Sequence, residues 1–449
     1  MLLRRVRSHP ALALAGLGVT VAVAFTTGCA STAGAPTIND VDVSIRARSA
    51  HAALRLTSAA PTPPDVNIAD GLTQEEAVAT ALWNSPSFQA TLADLGVARA
   101  DLADAGLLRN PVLSLLFPVG PKQLEFTWQY PFDLFLQRPG RVAAAKLNVQ
   151  AVGQRLTWDA LSLIAQVRSA HADAMLADRR LQLAGEIAAL ARRLADIADA
   201  RHRAGDISDL EARAPRTDAL RTEVVRRTTQ HDRDLARLTL AALLGLNETP
   251  DHLEPTSSEA YNAAPCVVDD ARVKDALASR PDVRAAELNI EAAATRARWE
   301  RSRVLALIGI LDANGKGSEG FEIGPGIGID LPLFNRNQGG KARATAEIER
   351  STHLYAAVRL QVVSDVRTAA VRLAQAQQAL EAWTKDILPS LETEQRQAEA
   401  AYQAGEIALL NVLDVSRRLI DGRMQLLNAE GDVIRSRIAL DRALGRFCR

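Results

Sequence analysis

Two spacings of apolar residues alternate along this chain. Over most of it they recur in steps of three and four, the helical period; in two short stretches they alternate one by one, the strand period. In "GFEIGPGIGIDLPLF" the row Phe321, Ile323, Ile327, Ile329 and Leu331, with Pro325, opposes the row Glu322, Gly324, Gly326, Gly328 and Asp330. In "KQLEFTWQY" the row Leu124, Phe126, Trp128 and Tyr130 opposes Gln123, Glu125, Thr127 and Gln129. Each stretch follows an apolar partner segment, residues 111–117 and 304–311, across a "PVGPK" or "NGKGSEG" turn. The pattern predicts two β-hairpins, four strands in all.

The helical stretches are longer. Val363, Val366, Ala370, Leu373, Gln377, Leu380, Thr384, Ile387 and Leu391 form one seam. Leu156, Ala160, Leu163, Val167, Ala170, Ala174, Ala177, Leu181 and Ala184 form another, continued by a second seam of Ile187, Leu190, Leu194 and Ile197. These predict two helices over 140–203 and 340–403, each roughly 90 Å long at about 1.5 Å per residue. Alanine at many seam positions permits close approach. Two seams on one helix imply neighbours on both sides, as in a ring of helices.

The chain is written twice. Pro86 and Pro281 are 195 residues apart, Pro131 and Pro332 are 201, and the pairs Gly205/Gly405 and Gly245/Gly445 are each 200. Residues 72–247 and 272–446 are thus tandem repeats joined by a linker, 248–271. Each repeat predicts a leading helix capped at Thr73 or at Asp269–Asp270, a β-hairpin and the very long helix. An AGD or AGE turn and a return helix complete it. Gly205 and Gly405 suit the left-handed residue that ends a helix, and Ser208 with Glu211 suits a capping box. The fold class is mainly α with a small β part: duplicated long-helix coiled-coil hairpins plus four strands.

Nine to eleven residues with one apolar and one polar face match a transmembrane β-strand, and Trp128 and Tyr130 suit the membrane interface. A soluble antiparallel sheet with one face on a core gives the same alternation. In lipid, four strands cannot close, and each unsatisfied edge group costs several kcal/mol. Two chains would supply eight strands and a filled interior; three would supply twelve and room for a pore. The small or acidic row, with Glu125, Glu322 and Asp330 facing the lumen, favours three.

Charge removes one class of partner. With 53 basic and 53 acidic residues among 449, the chain has no electrostatic case for nucleic acid. Its N-terminus changes the compartment. Arg4, Arg5 and Arg7 precede the apolar run "ALALAGLGVTVAVAF", too short to span a bilayer and suited to a signal peptide, residues 1–28. The run ends in "FTTGC", which resembles a bacterial lipoprotein cleavage site with Cys29 acylated, although Thr26 stands where leucine is usual. Ala30 follows rather than aspartate, so the outer membrane of a Gram-negative bacterium is the expected address. Residues 29–71, with "AAPTPPD", read as an anchored tether. An oxidising periplasm would allow Cys266 and Cys448 to pair.

The segments "ADAGLLRNPVLSL", "DLPLFNRNQGG", "AGDISDLEARA" and "YQAGEIALLNVLDVSRRL", with the duplication, make residues 70–446 resemble a TolC-family outer-membrane efflux protein. "LPLFNRNQG" is most like the outer-membrane components of heavy-metal RND pumps. The resemblance implies a homotrimer in outer-membrane lipid, a twelve-stranded barrel continued by an α-helical periplasmic tunnel. Its implied partners are a periplasmic adaptor protein and an inner-membrane RND-type pump. It implies a gate just after the second AG turn, at Asn411 and Asp414. Asn411 replaces an acidic residue there, which leaves Asp414 as the main candidate, with Asp209 its counterpart in the first repeat. Adaptor docking is expected around the turns, at Arg203, Gly205, Asp206, Tyr402, Gly405 and Glu406.

No catalytic constellation stands out, and the chain reads as neither an enzyme nor a cofactor carrier. "GILDANGKGSEG" misses the phosphate-loop spacing, seven histidines are scattered, and three methionines are too few for a soft-metal relay. A periplasmic adaptor, or a coiled-coil structural lipoprotein, remains the competing function. Within the channel class, drug efflux and type I secretion compete with export of heavy-metal cations.

Overall fold

The structure, a computed structural model, describes residues 32, 34–49, 63, 66–67, 70–117, 124–247, 254–256, 269–303, 307–315 and 321–447. Cys29, Cys266, Cys448 and the expected turns at 118–122 and 316–320 lie outside them. The chain divides into two compact units.

One unit contains Asp94–Gly153 and Ala285–Ala357 and carries a four-stranded antiparallel sheet. Its strands are β1 (Val112–Leu116), β2 (Glu125–Pro131), β3 (Leu307–Gly315) and β4 (Phe321–Ile329), in the order β1-β2-β3-β4. Register sorts the faces. Leu113 and Leu115 share one with Phe126, Trp128, Tyr130, Leu311, Ile323 and Ile327; Ser114, Glu125, Thr127, Asp312, Asn314 and Glu322 share the other. Trp128, Tyr130 and Phe132 run in a chain with centroids 6.5 and 5.5 Å apart. The ring of Phe132 covers Gly309, occupying the space that a Cβ there would need.

The other unit contains Ile38–Ala93, Gln154–Arg284 and Val358–Arg449. It holds α1 (Ile38–Ser49) and α2 (Gln74–Asn84) with the first turns of α3 (Pro86–Gly106). Most of α4 (Asp133–Arg203) and all of α5 (Asp209–Leu244) belong to it. From the second repeat come α6 (Asp270–Ser279), the start of α7 (Pro281–Ser302), and part of α8 (Gln338–Ala382). A π-turn (Trp383–Ile387), α9 (Leu388–Gln403) and α10 (Leu409–Leu444) complete it.

Several elements differ from the sequence expectation. Each leading helix is two helices, because Pro86 and Pro281 lack the N–H that would continue the ladder and instead open α3 and α7. The caps stand: Thr73 and Glu76 form a capping box, and Asp269 accepts from the Arg272 N–H at 3.0 Å. Helix α4 begins before Pro139 and runs 71 residues. Its early turns are fixed by Arg138 donating to the Gly106 carbonyl at 2.7 Å and Arg141 to that of Leu107 at 3.1 Å. The second long helix is interrupted by the π-turn, two residues before Pro389, whose ring and missing N–H disturb the carbonyl of Lys385. Its buried seam is Val362, Val366, Ala369, Leu373 and Ala376. That seam shares Val366 and Leu373 with the expected row, whose later member Ile387 is exposed. On α4 the first seam is buried as expected except for half-buried Leu181, but Ala188, Ala191, Ala195 and Ala198 replace the second. Helix α1, within the expected tether, buries Val41 and Ile45.

The repeats match at their joints. Each return helix has 36 residues and ends on a left-handed glycine, Gly245 at φ +70° and Gly445 at φ +72°. In the first repeat the Asn84 amide donates to the carbonyls of Leu244 (3.1 Å) and Gly245 (2.9 Å). In the second, Arg280 takes that place. It is 2% exposed, donates to the Ala443 carbonyl at 3.0 Å, pairs with Asp282 (2.6 Å) and Asp365 (3.3 Å), and lies 4.1 Å over the Trp158 ring. A Cβ on Gly245 would come within 2.6 Å of the Asn84 carbonyl oxygen. The linker meets the start of the first repeat at Leu72. Its N–H donates to Glu254 at 2.8 Å, and its carbonyl accepts from Thr256 at 3.0 Å and from His171 Nε2 at 2.8 Å.

Candidate functional site

Two places carry the expected site residues, the polar face of the sheet and the two tip turns. On the sheet, Glu125 and Glu322 both stand opposite Asn314, so one cross-strand row brings them together. Asp312 stands in the next row, opposite Thr127 and Gly324. Its carboxylate accepts from Thr127 Oγ1 at 2.7 Å and from Asn314 Nδ2 at 3.0 Å. The expected strand segment stopped at residue 311 and missed it. Ile308 and Ile310 share its face, so only Leu311, Asp312, Ala313 and Asn314 alternate apolar with polar there. Asp330 lies one residue past the end of β4. Leu307 pairs with Ile329, the last pair among the described residues, and Asp330 is exposed. A Cβ on Gly326 or Gly328 would meet Ile310 at 3.5 Å, ordinary contact. Crowding within the sheet therefore does not demand these glycines; they leave the face bare.

The opposite face is apolar and uncovered: Ile323 is 67% and Ile327 72% exposed. Both sheet edges, β1 and β4, lack a strand partner among the described residues.

At the first tip, α4 ends in a glycine-closed turn. The Gly205 N–H donates to His202 at 3.0 Å and the Asp206 N–H to Arg201 at 2.9 Å, with Gly205 at φ +84°. Ser208 and Glu211 then form a capping box that starts α5. The box holds the Glu211 carboxyl below its ordinary range. Asp209 is bridged by Arg213 at 2.7 Å and Arg216 at 3.7 Å, and Arg216 also reaches Asp199 at 2.6 Å. The hydrogen bond from Arg213, with the nearby positive charges, holds the Asp209 carboxyl below its ordinary range. Asp206 lies 3.9 Å from Arg201, and Arg203 is exposed.

The second tip repeats the backbone but not the side chains. Gly405 sits at φ +79°, and its N–H and that of Glu406 donate to Tyr402 and Ala401 at 3.0 and 2.9 Å. Ala408 occupies the cap position with no side-chain hydrogen bond. Tyr402, Glu406 and Asn411 are exposed. Asp414 pairs with Arg418 at 3.4 Å, and Arg418 reaches Glu394 at 3.3 Å. Each acidic gate candidate on the return helices, Asp209 and Asp414, thus carries its own arginine four residues on. Among the described residues no group of three histidine, cysteine or acidic side chains is placed to hold a metal ion, and no helix is long and apolar enough to cross a membrane.

Comparison with known proteins places this architecture. Residues 273–446 match the family described as outer membrane efflux protein. The chain is 25% identical over 395 residues to the cobalt-zinc-cadmium resistance protein CzcC of Cupriavidus metallidurans, covering 84% of this chain and 90% of that protein. It is 26% identical to the pyoverdine export outer membrane protein OpmQ of Pseudomonas putida, covering 64% and 62%. In structure it superposes on CusC, described in terms of transmembrane channel formation, with TM-score 0.70 and 19% identity, over 87% of this chain and 98% of the other.

Proposed function

With its second repeat an outer membrane efflux protein domain, this chain, we propose, is the outer-membrane channel of a tripartite efflux system. It acts as a homotrimer that receives cargo from a periplasmic adaptor and an inner-membrane RND-type pump. The observation that carries this reading is a sheet with two open edges and an uncovered apolar face. Lipid is the solvent in which such a face is stable and such edges are not. Because β1 and β4 run in opposite directions, β4 of one copy meets β1 of the next without breaking the antiparallel order. Three copies give twelve strands, with Glu125, Asp312 and Glu322 on the lumen side. A periplasmic adaptor would carry one helical hairpin, and a coiled-coil scaffold would carry no such sheet.

Heavy-metal cations are the preferred cargo, since the match to CzcC spans more of this chain than the match to a pyoverdine exporter. An acyl chain on Cys29 would tether the chain to the outer membrane. The adaptor docks on the exposed turn residues Arg203, Gly205, Asp206, Tyr402, Gly405 and Glu406. Asp414, with Asn411 and Asp209, lines the gate, and the paired Arg418 tempers its charge.

Detergent extraction from outer membranes should yield a stable trimer that conducts in planar bilayers. A water-soluble monomer without conductance overturns the reading. Asp414→Ala should raise single-channel conductance or lower cation selectivity, and an unchanged channel removes Asp414 from the gate. A deletion strain more sensitive to cobalt, zinc and cadmium than to drugs supports the metal cargo; the reverse pattern excludes it.

A further inference from the structure

The two repeats leave the sheet differently. In the first, β2 ends at Pro131, Phe132 folds back over Gly309, and α4 starts at Asp133. In the second, the eight residues Asp330–Asn337 separate β4 from α8. The apolar row of β4 continues into them. Leu331 and Leu333 are exposed, as Ile327 and Ile329 are, and Phe334 is 93% exposed, the most of any large apolar side chain among the described residues.

Hydrogen bonds hold this loop in shape without help from its apolar side chains. The Arg336 N–H donates to Gln338 Oε1 at 2.8 Å and the Asn337 N–H to Asn335 Oδ1 at 3.0 Å. Arg336 Nε and Gln338 Nε2 donate to the carbonyls of Pro332 and Phe334, each at 3.2 Å. Asn337 stands at φ +57°, the one positive φ outside glycine among the described residues. Its Nδ2 donates to the Glu300 carbonyl at 2.8 Å and to Glu300 Oε2 at 2.6 Å, which ties the loop to the end of α7. There Arg301 and Arg303 are exposed. Arg303 pairs with Glu300 at 3.8 Å, whereas Arg301 and Arg336 have no ion-pair partner among the described residues. The result is a preformed apolar finger beside spare positive charge, and burying such a finger costs little further ordering.

We propose that Asp330–Asn337 is a phospholipid anchor, which rests on the reading of the sheet as a membrane wall. Leu331, Leu333 and Phe334 enter the acyl region where the strands give way to helices. Arg336, with Arg301, takes the phosphate of an anionic phospholipid. Two observations choose lipid as the occupant. The finger prolongs the row that faces acyl chains on β4, so its apolar cover is continuous with that of the sheet. The charge behind it is uncompensated and positive, which complements a phosphate. An aromatic tip backed by basic side chains is how interfacial anchors are built. Each protomer contributes one finger, because the first repeat passes from β2 to α4 without a loop.

The full-length, detergent-solubilised chain would be titrated with phosphatidylglycerol or with phosphatidylcholine of the same acyl chains, and bound lipid counted by native mass spectrometry. The unaltered chain should bind phosphatidylglycerol more tightly. Arg336→Ala should weaken that lipid about fivefold or more and leave phosphatidylcholine unchanged. Arg336→Lys, which also loses the bond to Pro332 but keeps the charge, should retain most of the preference. Phe334→Ser should weaken both lipids. Equal binding of the two lipids, or a preference indifferent to Arg336→Ala, overturns the anchor. Loss of the preference in the lysine variant too overturns the charge as its source. A trimer that falls apart in Phe334→Ser while lipid binding is unchanged overturns lipid as the occupant in favour of a neighbouring copy. Thermal melts identify any misfolded variant. Conductance of the unaltered chain in planar bilayers tests the channel separately. A conducting chain without lipid preference sinks only the anchor, and a chain with the preference but no conductance sinks only the channel.

Discussion

The two tips place glycine 200 residues apart in the same left-handed turn, at φ +84° and +79°, yet one is fastened by side chains and the other is not. Ser208 and Glu211 close the first return helix, while Ala408 leaves the second uncapped. The long helix is continuous in the first repeat and broken by a π-turn in the second. The joints differ the other way: a neutral amide caps the first, a buried guanidinium with two carboxylates the second. Duplication has kept the backbone and reassigned the chemistry. The second repeat is tied hard at its joint and loosely at its tip.

That contrast can be broken at its strongest point first. Arg280→Ala leaves Asp282, Asp365 and the Ala443 carbonyl without their shared donor, so it should cost about 3–5 kcal/mol in chemical unfolding. Asn84→Ala, at the equivalent joint, strips donors from two carbonyls and should cost about 1–3 kcal/mol. Equal losses would mean that the two joints are energetically alike. At the tips, Ser208→Ala should cost about 1 kcal/mol. Ala408→Ser with Asn411→Glu should rebuild the missing box and slow amide exchange in the first turn of α10. Unchanged exchange would show that the second tip is loose for another reason.

The smallest effect concerns pH. His171 is buried, and its Nδ1 has no hydrogen-bond partner among the described residues. Burial holds the imidazole below the ordinary 6.5, against a weaker opposing pull from the Leu72 carbonyl. The unfolded chain takes up a proton as pH falls through about 6.5 and the folded chain does not. The stability is therefore full above that pH and is lost below it. Melting temperature should drop on acidification, and His171→Gln should flatten that segment of the profile.

Much of the fold was legible because its signals are local. Period-two alternation located β2 and β4, the apolar segments before them located β1 and β3, and glycine and proline marked the turns at a nearly constant offset. The losses arose where long-range pairing decides. Asp330 continues the alternation of β4 but lies past Ile329, the last residue paired with β3 among the described residues; Asp312 sits in turn-like "DANG", yet β2 and β4 hold it in the sheet. The second seam of α4 moved by one residue to the alanines because a row of bulkier side chains faces a cavity there. At the tips the exposed turn residues were readable from the glycines. The arginines four residues beyond Asp209 and Asp414 required the helix geometry to become their partners. The contacts of Leu72 had no sequence signal, since its partners, His171 and the pair Glu254 and Thr256, lie in two distant segments.

The open sheet edges carry a kinetic consequence. In the proposed channel, a solitary chain reaching a bilayer would carry two rows of backbone amides and carbonyls that have no strand partner among the described residues. Maturation of the strand wall is therefore an encounter between molecules rather than an internal rearrangement. Its rate should fall more steeply than linearly as expression is lowered. Chains that wait longest are the ones most exposed to mispairing and to proteases.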